Sequence, residues 1–179
     1  SYFIDPTAIL LAEKGDLPMY NNTENSINAY GAYCIYNLCV SRFLAGTGIG
    51  VERILYDDVE FFVRLTEGKT VAVRAGLEET IRNRTVSLSD SMGERYTVTA
   101  NEKGLVVTSL SGKSWEGQTV IVECADEWDR IQLTPFFSNT FENVYYKSEL
   151  SDDASAATEV NASLVVQIVH ESELISLLN

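Results

Sequence analysis

The chain has 179 residues and a formal charge of −13, with 45% hydrophobic residues and a mean hydropathy of −0.02, which is the profile of one globular domain able to bury a core. Residues 148–179 carry six acids and neither Lys nor Arg. Binding to a phosphate backbone or an anionic membrane needs clustered bases, so the composition argues against direct nucleic-acid and membrane partners.

Residues 1–20 read as an extended N-terminal arm. Tyr2, Phe3 and Ile4 are apolar, Asp5-Pro6 breaks a helix, Ile9, Leu10 and Leu11 form a second apolar run, and a breaker follows from Gly15 to Pro18. No basic n-region precedes the apolar residues, so the arm does not read as a secretory signal. Residues 21–179 read as a single domain. Its clearest signal is the uncharged stretch from Asn25 to Ser41. Ile27, Tyr30, Cys34, Ile35 and Leu38 mark one helical face, and Ala29, Tyr33, Tyr36, Val40 and Leu44 a second. The spacing predicts a buried helix over about 26–44, packed against sheet, capped by Thr23 or Ser26 and ended by Gly46. It carries too many Asn and Ser residues for a membrane span.

Gly46-Thr47-Gly48-Ile49-Gly50 is not a dinucleotide fingerprint, because the third glycine is misplaced and the run follows a helix; it reads as a connector. Period-two alternation begins at Val51. It predicts a strand over 51–56, then a hairpin in which Val59, Phe61, Val63 and Leu65 turn at Glu67-Gly68-Lys69 and return as Thr70–Arg74. Ala75–Arg84 suits a short helix or crossover. Short strands follow at 85–88, 95–100, 105–110, 118–124, 131–134, 140–147 and 163–169, the fifth and sixth on either side of Pro135. Their spacing predicts an α+β domain, mainly β, built as an antiparallel β-sandwich or barrel on the one long helix. Glu149–Glu159 reads as an exposed acidic loop.

Chemistry is sparse. Gly112-Lys113-Ser114 lacks the upstream glycine of a P-loop. His170 is the one histidine, so any histidine-dependent mechanism must use it; nothing local supports a Cys124/His170 dyad. One His and three scattered Cys give no zinc spacing. Cys34 and Cys39 lie five apart on one helix, too divergent for a disulfide, so the three thiols read as reduced. Asp57-Asp58 with Glu60, Asp126-Glu127 with Asp129, and Asp152-Asp153 lack the spaced oxygens of a calcium loop. Asn21, Asn83 and Asn161 begin glycosylation triplets. Trp115, Trp128, Tyr145 and Tyr146 are the candidate ligand-binding aromatics.

These features predict no catalytic residue, metal or cofactor. The expected role is that of a non-enzymatic structural protein, a subunit of a larger assembly of its own copies or neighbouring proteins. By analogy of architecture alone the class would be a virion component such as a capsid decoration, tail or neck protein. Its expected interface is Tyr2, Phe3, Ile4, Ile9 and Leu10 with Leu174, Ile175, Leu177 and Leu178. The alternative is a β-sandwich module binding carbohydrate or another ligand through the aromatics, with a hydrolase using paired carboxylates ranked last.

Overall fold

The structure is a computed structural model and describes residues 17–24, 26–47, 53–77, 79–88, 96–101, 104–109, 115–124, 126–147 and 161–168. Residues 1–16 of the expected arm, the acidic loop and residues 169–179 lie outside them.

The long helix α1 spans Ala29–Thr47. Its N-cap is Asn28, not Thr23 or Ser26: the Asn28 carboxamide oxygen accepts from the N–H groups of Tyr30 at 3.0 Å and Gly31 at 3.1 Å, satisfying two of the orphan donors of the first turn. The same side chain donates to Pro18 O at 2.6 Å, and Asn28 N donates to Met19 O at 3.0 Å. Residues 18–19 are therefore drawn across the helix start. Gly46 does not end the helix but lies within its last turn. The deepest face is the second of the two predicted, with Tyr36 and Val40 fully buried and Ala29 and Tyr33 beside them.

Of the strand expected over 51–56, residues 51–52 lie outside the described residues, 53–55 form no strand, and Tyr56 begins a 3-10 turn, Tyr56–Asp58. Strand β1, Phe61–Thr66, does not pair with Thr70–Arg74, which is a helical turn, α2. Its antiparallel partner is β2, Asn83–Leu88, with Phe61 opposite Leu88 and Thr66 opposite Asn83. The pairing is decided by a tertiary latch that local sequence does not display. Asn22 Nδ2 donates to Arg82 O at 2.9 Å, Asn22 Oδ1 accepts from Arg84 N, and Asn83 Oδ1 accepts from Thr23 N at 3.3 Å. The base of this two-stranded ribbon is seated on α1 by aromatic contacts, Phe61 lying 5.5 Å from Tyr30 and 5.7 Å from Tyr33 between ring centroids.

Strands β3 (Tyr96–Asn101), β4 (Gly104–Ser109), β5 (Trp115–Cys124), β6 (Phe141–Lys147) and β7 (Leu164–Ile168) form one sheet in the order β3-β4-β6-β5-β7. The β3-β4 and β4-β6 pairs are antiparallel, whereas β5 pairs parallel with both β6 and β7. The expected short strand at 131–134 is instead inside helix α3, Glu127–Ser138, which contains Pro135. That helix supplies the crossover a parallel β5-β6 pair requires. The domain is α+β as expected, but both sheets are open, and the expected antiparallel sandwich or barrel is not formed among the described residues.

The core lies between the large sheet and the helices. Val120, Val122, Val144, Tyr146 and Val166 meet Leu133, Phe136 and Phe137 of α3. α1 packs on α3: the Tyr36 ring stacks on Phe136 at 5.7 Å and meets Phe137 edge-on at 5.5 Å. Its hydroxyl shares a 2.6 Å hydrogen bond with Thr140 Oγ1 and accepts from Ile54 N at 3.0 Å. Among the described residues no helix is long and apolar enough to cross a membrane.

Candidate functional site

In open sheets with parallel strands, ligands and catalytic groups collect beyond the strands' carboxyl ends. Here that place is the turn from β5 into α3. Val120, Ile121, Val122 and Glu123 are fully buried, as befits a central parallel strand covered on both faces. Asp126 is the N-cap of α3, its carboxylate accepting from Trp128 N at 2.7 Å and Asp129 N at 3.3 Å. The partial positive charge of the helix start is thus already answered by a side chain of the chain itself.

Cys124 stands at the end of β5, where a strand-to-helix nucleophile would sit. Its thiol donates to Asp126 O at 3.3 Å. Burial pushes its pKa up to about 12, and the negative charges of Asp129 and Asp126 push the same way against Arg130. A thiol held protonated is a poor nucleophile. The other half of the Cys124/His170 pair lies outside the described residues. Cys34 is buried and Cys39 half-buried; all three cysteines are free, as expected, and burial also pushes Cys39 up to about 12.

Each acid of the Asp126-Glu127-Asp129 group has its own local task. Glu127 pairs with Arg130 at 2.8 Å, and buried Asp129 accepts from Ile27 N at 3.1 Å. Likewise Asp58 accepts from Leu55 N at 2.8 Å. Among the described residues no cluster of three or more His, Cys, Asp or Glu side chains is placed to hold a metal ion; Asp152-Asp153 lie outside them.

On the opposite face of β5, Glu123 is in register with Lys147 on β6 and Gln167 on β7. Gln167 Nε2 donates to Glu123 Oε2 at 2.8 Å. Sequence reasoning missed this polar row, whose only signal was a charged residue inside an otherwise apolar strand run.

The four candidate aromatics do not make one platform. Trp128 lies in the first turn of α3 and is 61% exposed. Tyr146 is buried in the core and Tyr145, on the other face of β6, is half-buried. Trp115 opens β5 instead of standing in a turn, and only its backbone is described. Tyr2, Phe3, Ile4, Ile9, Leu10, Leu174, Ile175, Leu177 and Leu178 lie outside the described residues, as does Gly112-Lys113-Ser114. Of the glycosylation asparagines, Asn83 is buried with its carboxamide engaged, Asn21 donates to Ser26 Oγ at 2.9 Å, and Asn161 is exposed.

No protein-family description and no curated protein matches the chain. Solved structures do share its fold. A Bacillus cereus PatB1 structure with a sulfonyl adduct superposes with a TM-score of 0.62 at 13% identity, over 87% of this chain and 62% of that one. A second PatB1 structure gives 0.59 at 11%, over 87% and 63%. A DHHW family protein from Eubacterium siraeum gives 0.58 at 11%, over 94% and 66%. The chain therefore spans less than two thirds of the length of these relatives, and identities this low establish a common α+β fold alone.

Proposed function

We propose that the chain is a non-catalytic domain that acts by binding, as a subunit of a larger assembly. The observation that carries this reading is the filled β5-α3 turn. A hydrolase or transferase on such a sheet needs an activated nucleophile there and an open helix start to receive developing negative charge. This chain has a sealed, protonated thiol in the first place and the Asp126 carboxylate in the second. The sulfonyl adduct belongs to PatB1. The fold comparisons offer no support for the virion class expected from architecture, so the assembly is proposed without it.

The experiment is covalent profiling of the native protein with a sulfonyl fluoride and with iodoacetamide. The sulfonyl fluoride should label no residue selectively. Iodoacetamide should react with Cys124 far more slowly than with an accessible thiol throughout about pH 7 to pH 9, the range in which a thiol of pKa about 8.5 passes from a few per cent to mostly thiolate. Selective, stoichiometric labelling of one residue by the sulfonyl fluoride, lost on denaturation, would identify a nucleophile and end the non-catalytic reading.

A second reading rests on Trp128. An exposed indole at the carboxyl end of the sheet suits stacking on a sugar face, the alternative expected from sequence, although the platform would be one residue and not four. Quenching of Trp128 fluorescence in a glycan titration, absent in Trp128→Phe, would support it; an unchanged spectrum across a broad glycan panel would remove it.

A further inference from the structure

β2 is latched to the body by Asn22 and Thr23, whereas β1 pairs with β2 and with no other strand among the described residues. Residues 62–66 of β1 are all exposed. Folded proteins blunt such an edge with Pro, Lys, a bulge or a covering element. β1 reads Phe-Phe-Val-Arg-Leu-Thr, and its register with β2 runs unbroken from Phe61-Leu88 to Thr66-Asn83. Arg64 is the only charge on it. Phe62, Val63 and Leu65 are 47%, 45% and 70% exposed, and half-exposed Tyr56 lies 5.8 Å from Phe61 between ring centroids. An open, apolar edge of this kind is a template for another strand.

The two faces of β1 differ. Phe61, Val63 and Leu65 share one face with Leu88, Val86 and Arg84, and Phe62, Arg64 and Thr66 share the other with Ser87, Thr85 and Asn83. Alternation carried one residue back from Phe61 puts exposed Glu60 on the face of Arg64. Neither Glu60 nor Arg64 joins an ion pair among the described residues. Four residues apart on one strand, they are separated by roughly 13 Å and do not meet within a chain.

We infer that the edge is filled by β1 of a second copy, antiparallel about a two-fold axis normal to the ribbon, giving a four-stranded sheet in the order β2-β1-β1-β2. The inference rests on the binding role proposed above and names its partner. The strand's own register selects the occupant. Directly opposed residues share a face, and such an axis keeps each face on its side, so one residue must oppose its own copy. An axis at Val63 pairs Val63 with Val63, Phe62 with Arg64 and Phe61 with Leu65, five pairs within the six-residue strand. An axis at Arg64 also makes five pairs but sets two guanidinium groups directly opposite, which is destabilising. An axis at Phe62 makes three.

The Val63 register is complementary in charge as well as shape. Arg64 of one copy lies against the Phe62 ring of the other, a favourable cation-aromatic contact, and diagonal to Glu60 of that copy, at the roughly 7–8 Å that long side chains bridge. Leu65, the most exposed of these residues, meets Phe61 and its neighbour Tyr56. Symmetry repeats each contact and closes the dimer. The surface covered is on the order of 500 Å² per copy, so about 1,000 Å² in all, the lower bound for a specific interface.

The test is the solution mass by light scattering and sedimentation of the unaltered chain, Arg64→Glu, Glu60→Arg and Glu60→Arg/Arg64→Glu, with circular dichroism to check that each keeps the fold. The unaltered chain should dimerise. Each single variant should associate at least about tenfold more weakly, because like charges then meet across the axis, and the double variant should recover most of the loss. Oxidative cross-linking reads the register. Val63→Cys should give a disulfide-linked dimer, since opposed residues lie about 4.5–5.5 Å apart, within the 4.4–6.8 Å span of a disulfide. Leu65→Cys, about 13 Å from its own copy, should not. A chain monomeric to about 100 μM, weaker than most specific complexes, would overturn the inference. So would a dimer that Arg64→Glu leaves as strong, that the double variant fails to restore, or that Val63→Cys does not cross-link. The non-catalytic reading is judged separately by covalent profiling, so the two failures are distinguishable.

Discussion

A methyl group at position 31 would meet the carbonyl oxygen of Met19 at 2.3 Å and its carbon at 3.2 Å. Both belong to backbone that is itself tied down, since Met19 O accepts from Asn28 N and Pro18 O from the Asn28 side chain. Helix propensity favours Ala over Gly by about 1 kcal/mol in a helix interior, so propensity and packing predict opposite signs for Gly31→Ala. Packing should win, because the obstacle is backbone and cannot rotate away; the expected result is a loss of about 1–3 kcal/mol in urea unfolding. An equal or higher midpoint would mean that residues 18–19 are free to move off the helix. From sequence, Gly31 was an unremarkable residue within an apolar run, because its necessity depends on a chain crossing that spacing cannot show. The same holds for Asn28. It was passed over for Thr23 and Ser26, which have the same capping chemistry, and the choice was made by the path of residues 18–19.

At the scale of elements, α3 decided how much of the fold could be read. Ile131 to Thr134 looked like a strand broken by Pro135, since Pro in a helix removes a hydrogen bond and clashes with the preceding turn. The helix signals were nevertheless present: Asp126 as cap, Glu127 and Asp129 in the first turn, and Leu133, Phe136 and Phe137 at helical spacing, all three fully buried. Burial of these three side chains, worth roughly 1.5–3 kcal/mol each, outweighs the proline penalty of about 3 kcal/mol. Missing that helix also hid the parallel β5-β6 pair, because an antiparallel sandwich or barrel contains no such crossover. The strands themselves were legible, at 85–88, 95–100, 105–110, 118–124, 140–147 and 163–169, to within a few residues. The hairpin failed for a different reason: the Glu67-Gly68-Lys69 turn was a local cue, and the Asn22, Thr23 and Asn83 latch that overrides it joins residues 60 or more apart. The capping role makes a prediction for the element. Asp126→Ala should lower stability by about 1 kcal/mol, within the 0.5–2 kcal/mol span of such caps, and Asp126→Asn should retain most of it, since the carboxamide oxygen still accepts from Trp128 N and Asp129 N. Urea midpoints separate the two. Equal losses in both variants would mean that the charge, acting on the helix dipole, matters more than the hydrogen bonds.

For the whole molecule, a charge of −13 on 179 residues opposes compaction through self-repulsion, and an ion pair such as that of exposed Glu127 with half-buried Arg130 on α3 is worth little. Salt should therefore favour folding, because it screens repulsion within the chain. The Arg64→Glu/Arg84→Glu variant raises that repulsion, since it carries four more units of negative charge, −17 in place of −13. Its Tm, followed by circular dichroism, should rise as sodium chloride goes from about 10 mM to about 150 mM, while the screening length shrinks from about 30 Å to about 8 Å, and should change less beyond that. The unaltered chain should show a smaller rise, because it carries less charge to screen. If the Tm of the variant fell over this range, favourable charge pairs would have to outweigh repulsion within the fold, and the acidity of the chain would have to be understood as a set of specific contacts and not as an unneutralised surface.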